Sequence, residues 1–477
     1  MNDFDFRPVL ELALRSSLDH LTTLKTRPVG ATSTFHDLRN RLNKPLRDHA
    51  LPPEEVIQEL VEASRGGILG SAGGRFFAWA VGGALPASLA ADCLTSAWDQ
   101  NAALYSCGPA AALVEEVAGE WLKELLGLSA MCSVGFVSGC QMAHVTCLAA
   151  ARNHLLQRHG WNVERNGMTS APQIKVLASN RHGSIERALR LLGVGESNVF
   201  DMPLDQNERV QPKTLEAALR SAAGHPVIVI LQAGDLNTGS FDDYPNLIPL
   251  AKHHSAWVHI DGAFGLWAGA SPTYKHLLNG SEDADSWATD GHKWLNVPYD
   301  CGYAIVANRE AHRAAMSHRA AYLVHDTEAR DQIDWNPEWS RRGRGFPTYA
   351  AIRQLGRVGL AELIDRCCSL ARKLVEGLGR LPGVEVLWRP IINQGLVRFL
   401  DPLPQASQAN HDRYTDAMIN RINAHGGGFF MGTTWRSTRA MRVSVMNWQT
   451  NEGDIDLAIR TVTECLALER AEAANSN

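Results

Sequence analysis

An α/β architecture, with a mainly parallel sheet flanked by helices and a smaller C-terminal α+β domain, is what this sequence predicts. Three observations carry the prediction. From about Leu85 onward, short β-branched runs alternate with segments whose apolar residues recur at three and four positions. After about Gly345 the texture changes to a long helical run followed by isolated strand-like stretches. The 477 residues give room for one large and one small domain, at roughly 100–200 residues per domain.

Taken in order, the first residues up to about 80 are helical in pattern, with a Gly/Ala-rich stretch from Gly66 to Gly74 as a hinge or linker. Ile174–Ala178, Val227–Leu231, Trp257–Ile260 and Tyr303–Val306 read as strands. Ser184–Leu192, Thr214–Ala222 and Asn246–His253 between them read as helices. Such alternation implies right-handed crossovers in a mostly parallel sheet. Beyond Gly345 the expected elements are a helical run Tyr349–Leu381, strands Val384–Trp388 and Leu396–Leu400, a helix near Tyr414–Ala424, a strand Met441–Met446 and a last helix from Glu452. The expected domains are residues 1–84, an N-terminal helical segment; 85–345, the large domain; and 346–477, the small one.

Composition narrows the function. Lys and Arg number 46 against 51 Asp and Glu, a formal net charge of −5 that speaks against a nucleic-acid-binding surface. Hydrophobic residues at 45% and charged ones at 20% are wrong for a disordered chain. Asp3 and Asp5 stand where a signal peptide carries positive charge. The uncharged stretch Leu125–Ala151 is broken by Gly127, Ser129, Ser133, Gly135, Ser138, Gly139, Gln141 and His144, too polar for a lipid-facing helix. It reads as a strand, a tight loop and a helix in an interior. Nine cysteines form no CxxC pair, so reduced thiols in a cytoplasmic protein are expected, and no metal site. His253–His254, on a helix end, reads as solvated.

The chemistry concentrates around Lys293. Trp257-Val-His-Ile is an apolar strand ending in Asp261, which delivers a carboxylate to the carboxyl edge of the sheet, where open α/β sheets bind ligands. Lys293 follows in a Gly-His-Lys turn between apolar runs, where burial of an ammonium is costly. A desolvated lysine gives up its proton more readily and forms a Schiff base with an aldehyde. An acid in the same site keeps a pyridine nitrogen protonated. The two together are the protein's half of pyridoxal-phosphate chemistry.

The segment Asp285-Ser-Trp-Ala-Thr-Asp-Gly-His-Lys-Trp-Leu-Asn-Val-Pro-Tyr-Asp-Cys301 closely resembles the lysine segment of the group II pyridoxal-phosphate-dependent amino-acid decarboxylases. The family includes the aromatic-amino-acid, tyrosine, histidine, glutamate and diaminobutyrate enzymes, and the resemblance runs from about Gly74 to Ile459. It implies a fold-type-I (aspartate aminotransferase-like) enzyme that decarboxylates an L-amino acid to its amine through a Lys293 Schiff base and a quinonoid. A homodimer with shared active sites is also implied.

Roles follow residue by residue from the resemblance. Lys293 would hold the cofactor, Asp261 would pair with its ring nitrogen, and Ala263 and His182 would cover the two ring faces. The phosphate would lie at Ser138-Gly-Cys140-Gln141, where a helix begins, with Asp290 and His292 completing its contacts. Tyr322 stands at the spacing of the family's tyrosine that helps to protonate Cα, within a segment of which Asp326–Trp339 reads as a flexible loop. A phenylalanine there is associated with oxidative deamination. Trp79, in Arg75-Phe-Phe-Ala-Trp79, and Arg442 are the substrate-side candidates. Ser340-Arg-Arg-Gly-Arg344 resembles a basic family motif.

The sequence departs from the family at Cys140, Gln141 and Met142, where relatives carry small, hydroxyl and acidic residues, and at Asp235, where they carry threonine. Asp235 could tune the ring or meet a substrate amine. These departures leave transamination, C–C lysis and oxidative deamination as rivals, with a non-catalytic binding protein as a remote alternative.

Overall fold

The computed structural model describes residues 5–318 and 329–475. It contains a seven-stranded sheet built from β1 (Ser133–Val137), β2 (Lys175–Ala178), β3 (Val199–Asp201), β4 (Val227–Gln232), β5 (Trp257–Asp261), β6 (Ser286–Asp290) and β7 (Gly302–Val306), in the order β1-β7-β6-β5-β4-β2-β3. Strands β2 to β6 pair in parallel, and β7 runs antiparallel between β6 and β1. The mainly parallel sheet is therefore present. Both faces of its central strands are covered: every residue of β1, β5, β6 and β7 is buried, the polar Ser133, His259, Asp261, Ser286, Thr289 and Asp290 included.

The predicted helices lie where the apolar spacing put them, at Gly183–Leu191, Pro212–Ser221 and Tyr244–His253. Pro212 and Pro245 sit in the first turns of their helices, where a missing N–H costs nothing. The uncharged stretch resolves into β1, a turn at Ser138-Gly139 and the helix Cys140–Arg158, which packs on β1, β5, β6 and β7. That helix needs no charged stripe because its residues Ala143–Ala151, Val145 apart, are buried.

The chain divides into two compact units. One comprises residues 82–371 with 389–395 and holds the large sheet. The other comprises residues 1–81, 372–388 and 396–477, so the N-terminal helices belong with the C-terminal residues. In the C-terminal part a four-stranded sheet has the order β10-β11-β9-β8, from β8 (Val384–Trp388), β9 (Gln394–Phe399), β10 (Met431–Trp435) and β11 (Thr438–Ser444). The long helical run spans Gly345–Gly379 and is broken at Gly356, whose φ of 60° is non-helical. None of the nine cysteines is in a disulfide, and seven of them are buried. No helix among the described residues is long and apolar enough to cross a membrane.

Within the stretch Asp326–Trp339, expected as a flexible loop, the described residues 331–336 are buried. Ile333 donates to the Ala103 carbonyl at 2.9 Å, and the Gln332 amide to that of Ala112 at 3.0 Å. Asp331 and Asp334 are spent locally, on the Tyr105 N–H and the Arg313 guanidinium.

Candidate active site

Three adjacent parallel strands end together. Gln232 pairs with Asp261 and Asp261 with Ala288, so β4, β5 and β6 present Asp261 and, two residues on, Asp290 at one carboxyl edge. The chain then turns through Gly291-His292-Lys293. Lys293 Nζ lies 3.1 Å from Asp290 Oδ2, while Asp290 Oδ1 accepts the Cys140 N–H at 2.5 Å. His292 Nε2 stands 3.5 Å from Asp290 Oδ1, and its ring packs on Tyr299 with centroids 4.4 Å apart. One carboxylate thus ties the lysine turn to the start of the helix Cys140–Arg158.

This pairing corrects the reasoning from burial alone. Desolvation does push the Lys293 ammonium toward neutrality, but Asp290, then Cys140 and Asp261, outweigh it and the lysine pKa is raised. With its side chain 20% accessible, Lys293 is a protonated amine held on a carboxylate at an open site. Desolvation also lowers the His292 pKa against the pull of Asp290, and pushes the Cys140 thiol well up.

Asp261 is 4% exposed. Its Oδ1 accepts the Ala263 N–H at 3.2 Å. Burial raises its pKa, opposed by the charges of Lys293, His182 and His259. Two histidines that sequence reasoning passed over stand behind it. His144 Nε2 lies 3.6 Å from Asp261 Oδ2 and 3.5 Å from Cys140 Sγ. Its Nδ1 lies 2.9 Å from His259 Nε2, and His259 Nδ1 2.9 Å from Ser286 Oγ. A signal was available: Cys140 and His144 are four apart on one helix, His259 and Asp261 two apart on one strand, and each pair shares a face.

The remaining expected residues fall as follows. His182 caps the helix Gly183–Leu191, accepting the Ser184 N–H at 3.2 Å, and its ring is exposed. Ala263 is half-buried and its carbonyl accepts the Asp290 N–H at 3.0 Å. Gln141 is half-buried in the first turn after Gly139. Asp235 is 3% exposed and fully engaged. Its Oδ1 accepts the N–H groups of Asn237 and Thr238 and the Thr238 hydroxyl, at 2.8–2.9 Å, and its Oδ2 accepts from the Asn180 amide. Its carboxylate builds the loop, with both oxygens engaged inside the protein.

Trp79 and Arg442 belong to the other compact unit. Trp79 is 47% exposed, with its ring 5.7 Å from Phe76 and 6.0 Å from Phe429. Arg442 is buried in β11. Tyr322 lies outside the described residues. In the Ser340–Arg344 motif the arginines make ion pairs: Arg341 grips Glu115 with two bonds of 2.7 and 2.5 Å, Arg342 meets Asp92 at 2.7 Å, and Arg344 meets Asp300 at 3.0 Å.

These residues fit pyridoxal phosphate. The helix Cys140–Arg158 has no side-chain cap at Gly139, and its first N–H already takes an anionic oxygen, as a phosphate would offer. A Cβ on Gly302 would sit 2.6 Å from the Gly139 backbone, so the approach that forms this end of the site requires glycine. A buried carboxylate and a reachable amine stand beyond it, for the ring nitrogen and the aldehyde. The fold and these groups define a fold-type-I pyridoxal-phosphate enzyme.

Residues 36–399 match the family model described as the pyridoxal-dependent decarboxylase conserved domain, and the chain belongs to that family. Among its relatives, an aromatic-L-amino-acid decarboxylase of Bacillus atrophaeus is 26% identical, covering 95% of this chain and 93% of its own. A 4-hydroxyphenylacetaldehyde synthase of Rhodiola rosea is also 26% identical, covering 97% and 96%. The Oryza sativa TDC crystallised with PLP and tryptamine has the same fold, with a TM-score of 0.89 at 23% identity over 97% of this chain and 99% of that one. Mouse CSAD gives a TM-score of 0.88 at 21% identity, covering 96% and 98%. The chain is a pyridoxal-phosphate-dependent carboxy-lyase acting on an amino acid.

Proposed function

We propose that this enzyme converts an aromatic or large apolar L-amino acid to its amine and CO2, as a cytoplasmic homodimer. The observation that carries the substrate class is the commitment of Asp235 to its own loop and to Asn180. With both carboxylate oxygens bonded within the protein, the one departure that suited a basic substrate has another use. The exposed Trp79 beside Phe76 and Phe429 supports an aromatic partner, as does the Bacillus atrophaeus relative.

Bound pyridoxal phosphate supplies an electron sink for the pair released when a bond at Cα breaks. The chain's own groups do the rest. Lys293 offers the amine that holds the aldehyde carbon, and Asp290 governs its proton. Asp261 would hold a proton on the ring nitrogen, the N-terminus of the helix Cys140–Arg158 would take the phosphate with Gln141 and His292, and His182 and Ala263 would cover the ring. Tyr322 would deliver a proton to Cα. Tyr322→Phe therefore retains cofactor and, with dioxygen as the oxidant, shifts product from amine to aldehyde, ammonia and hydrogen peroxide; unchanged amine output removes Tyr322 from this role.

The homodimer is supported by the helix Phe6–Thr23. It has no buried residue, yet Phe6, Leu10, Leu14 and Leu18 are at least half exposed in a stripe of spacing four. An apolar stripe of that kind needs a partner. The reduced, mostly buried cysteines fit the cytoplasm.

The test is kcat/KM for amine release across L-tryptophan, L-tyrosine, L-phenylalanine, L-leucine, L-lysine and L-glutamate. The proposal expects the first four to lead. Preference for lysine or glutamate overturns the substrate class. Oxidative deamination is the second reading, favoured by the Rhodiola rosea relative; aldehyde as the main product of the wild-type enzyme would establish it.

A further inference from the structure

The chain from Trp257 to Asp261 through two histidines has a direction that its chemistry dictates. An ionised carboxylate only accepts hydrogen bonds, and an indole N–H only donates. The Trp257 Nε1–H donates to Ser286 Oγ at 2.9 Å; with the Cys147 thiol, its other neighbour, directed at the Trp287 and Ile305 carbonyls, the serine hydroxyl proton points at His259 Nδ1, 2.9 Å away. His259 then carries its proton on Nε2 and donates to His144 Nδ1 at 2.9 Å. His144 in turn carries its proton on Nε2, the nitrogen that stands 3.6 Å from Asp261 Oδ2. The reverse order would set a nitrogen lone pair against the carboxylate.

Both imidazoles are wholly buried, and desolvation lowers the pKa of each to about 3. They are neutral, so each has one N–H to place, and the chain branches at two sulfurs: Cys140 Sγ, 3.5 Å from the same His144 nitrogen, and Cys147, which also meets Ser286. The 3.6 Å separation is longer than a hydrogen bond, and it is a close dipole–charge approach in a dry interior where such contacts are strong. Asp261 has the Ala263 N–H on Oδ1, so His144 completes its surroundings on the side away from the backbone.

We infer that His144, oriented by His259 and Ser286, is a positioning residue that keeps the Asp261 carboxylate ionised and aimed at the ring nitrogen of pyridoxal phosphate. The positive end of an N–H dipole turned toward the carboxylate favours its ionised form, and with it the protonated state of the ring nitrogen. His144 touches neither cofactor nor substrate in this role; it acts through Asp261. The inference rests on the pyridoxal-phosphate site described above, and wild-type protein that takes up no pyridoxal phosphate would fail that reading before this one is reached.

The experiment uses holoenzyme loaded with pyridoxal phosphate labelled with ¹⁵N at the ring nitrogen, with wild type, His144→Leu and His144→Gln compared. The Gln amide supplies an N–H donor at the reach of Nε2 and an oxygen to accept from His259. The wild type is expected to show the protonated-ring shift. His144→Leu is expected to move it toward the unprotonated value and weaken cofactor binding at least tenfold, and His144→Gln to restore most of both. A shift and affinity unchanged in His144→Leu overturn the inference. Should that variant not fold, the wild-type histidine nitrogens decide: a proton on His144 Nε2 and none on Nδ1 supports it, and the opposite tautomer overturns it.

Discussion

Lys293 Nζ stands 3.1 Å from Asp290 Oδ2, and the other oxygen of that carboxylate holds the first N–H of the helix Cys140–Arg158. The amine that must attack an aldehyde and the helix end that must receive a phosphate therefore share one anionic partner. A phosphate arriving at the helix end competes with Asp290 for the Cys140 N–H.

Removing that charge lowers the Lys293 pKa, because the attraction that overcomes desolvation is lost. For Asp290→Asn the pH midpoint for Schiff-base formation with pyridoxal, which lacks the phosphate, is expected to fall by about one unit or more. Stopped-flow absorbance of the apoenzyme across pH reads it directly. An unshifted midpoint would show that Asp290 does not control the lysine proton.

Gly82 passes against the lysine turn so closely that an added Cβ would lie 1.8 Å from the Lys293 carbonyl oxygen and 3.2 Å from Asn296 Nδ2. The nearest obstacle is backbone, which does not swing aside. Gly82→Ala is expected to destabilise the protein by about 1–3 kcal/mol and to reduce cofactor occupancy by displacing Lys293. Thermal unfolding with and without cofactor tests both effects. A fully loaded variant of wild-type stability would place Gly82 outside the support of the site.

Acid should weaken the fold well above the carboxylate range. Besides His144 and His259, His312 is held neutral by burial, with Ser133 Oγ at 2.8 Å and the Trp335 carbonyl at 3.0 Å, and its pKa falls to about 3. These are bases with depressed folded pKa values. Their contribution is complete above about pH 6.5 and is lost as pH falls toward 3, while the unfolded chain takes up protons that the fold refuses. At pH 5 each loses roughly 2 kcal/mol. Asp242 opposes this, since burial raises its pKa to about 6, returning roughly 1 kcal/mol over the same interval. Urea midpoints at pH 7 and pH 5 are expected to fall accordingly, and equal midpoints would contradict neutral burial of the three rings.

Leu14→Glu puts a charge in the middle of the exposed stripe of the helix Phe6–Thr23, where Leu14 is 58% exposed. A residue so exposed contributes little to the fold of one chain. The expected outcome is a shift from dimer to monomer by light scattering, with the circular dichroism spectrum retained. A dimer undisturbed by Leu14→Glu and by Leu10→Glu together would show that this face is not the interface.

Much of this arrangement was legible in the residues. Val227–Leu231 and Trp257–Ile260 declared buried parallel strands by being apolar without interruption, and both are strands. Asp261 and Lys293 announced themselves as charges set in apolar runs. Strand β6 was hidden because Ser286, Thr289 and Asp290 look like a polar loop; they are buried because Ser286 serves Trp257 and His259. Strands β3 and β10 are short or half-exposed and leave little pattern. His144 shares a helix face with Cys140, but its partners on β5 lie 115 and 117 residues away in sequence, so their meeting was not legible. The role of Asp235 could not be read because a carboxylate that caps its own loop looks, in sequence, like one that faces a ligand.

The most direct test of the account is the stoichiometry of products from the purified, cofactor-loaded enzyme, with amine measured by mass spectrometry and CO2 counted in the same reaction. The account predicts one amine per CO2 from its best substrate, and none of either from Lys293→Ala. Keto acid, aldehyde or a cleaved side chain without matching CO2 and amine would contradict it.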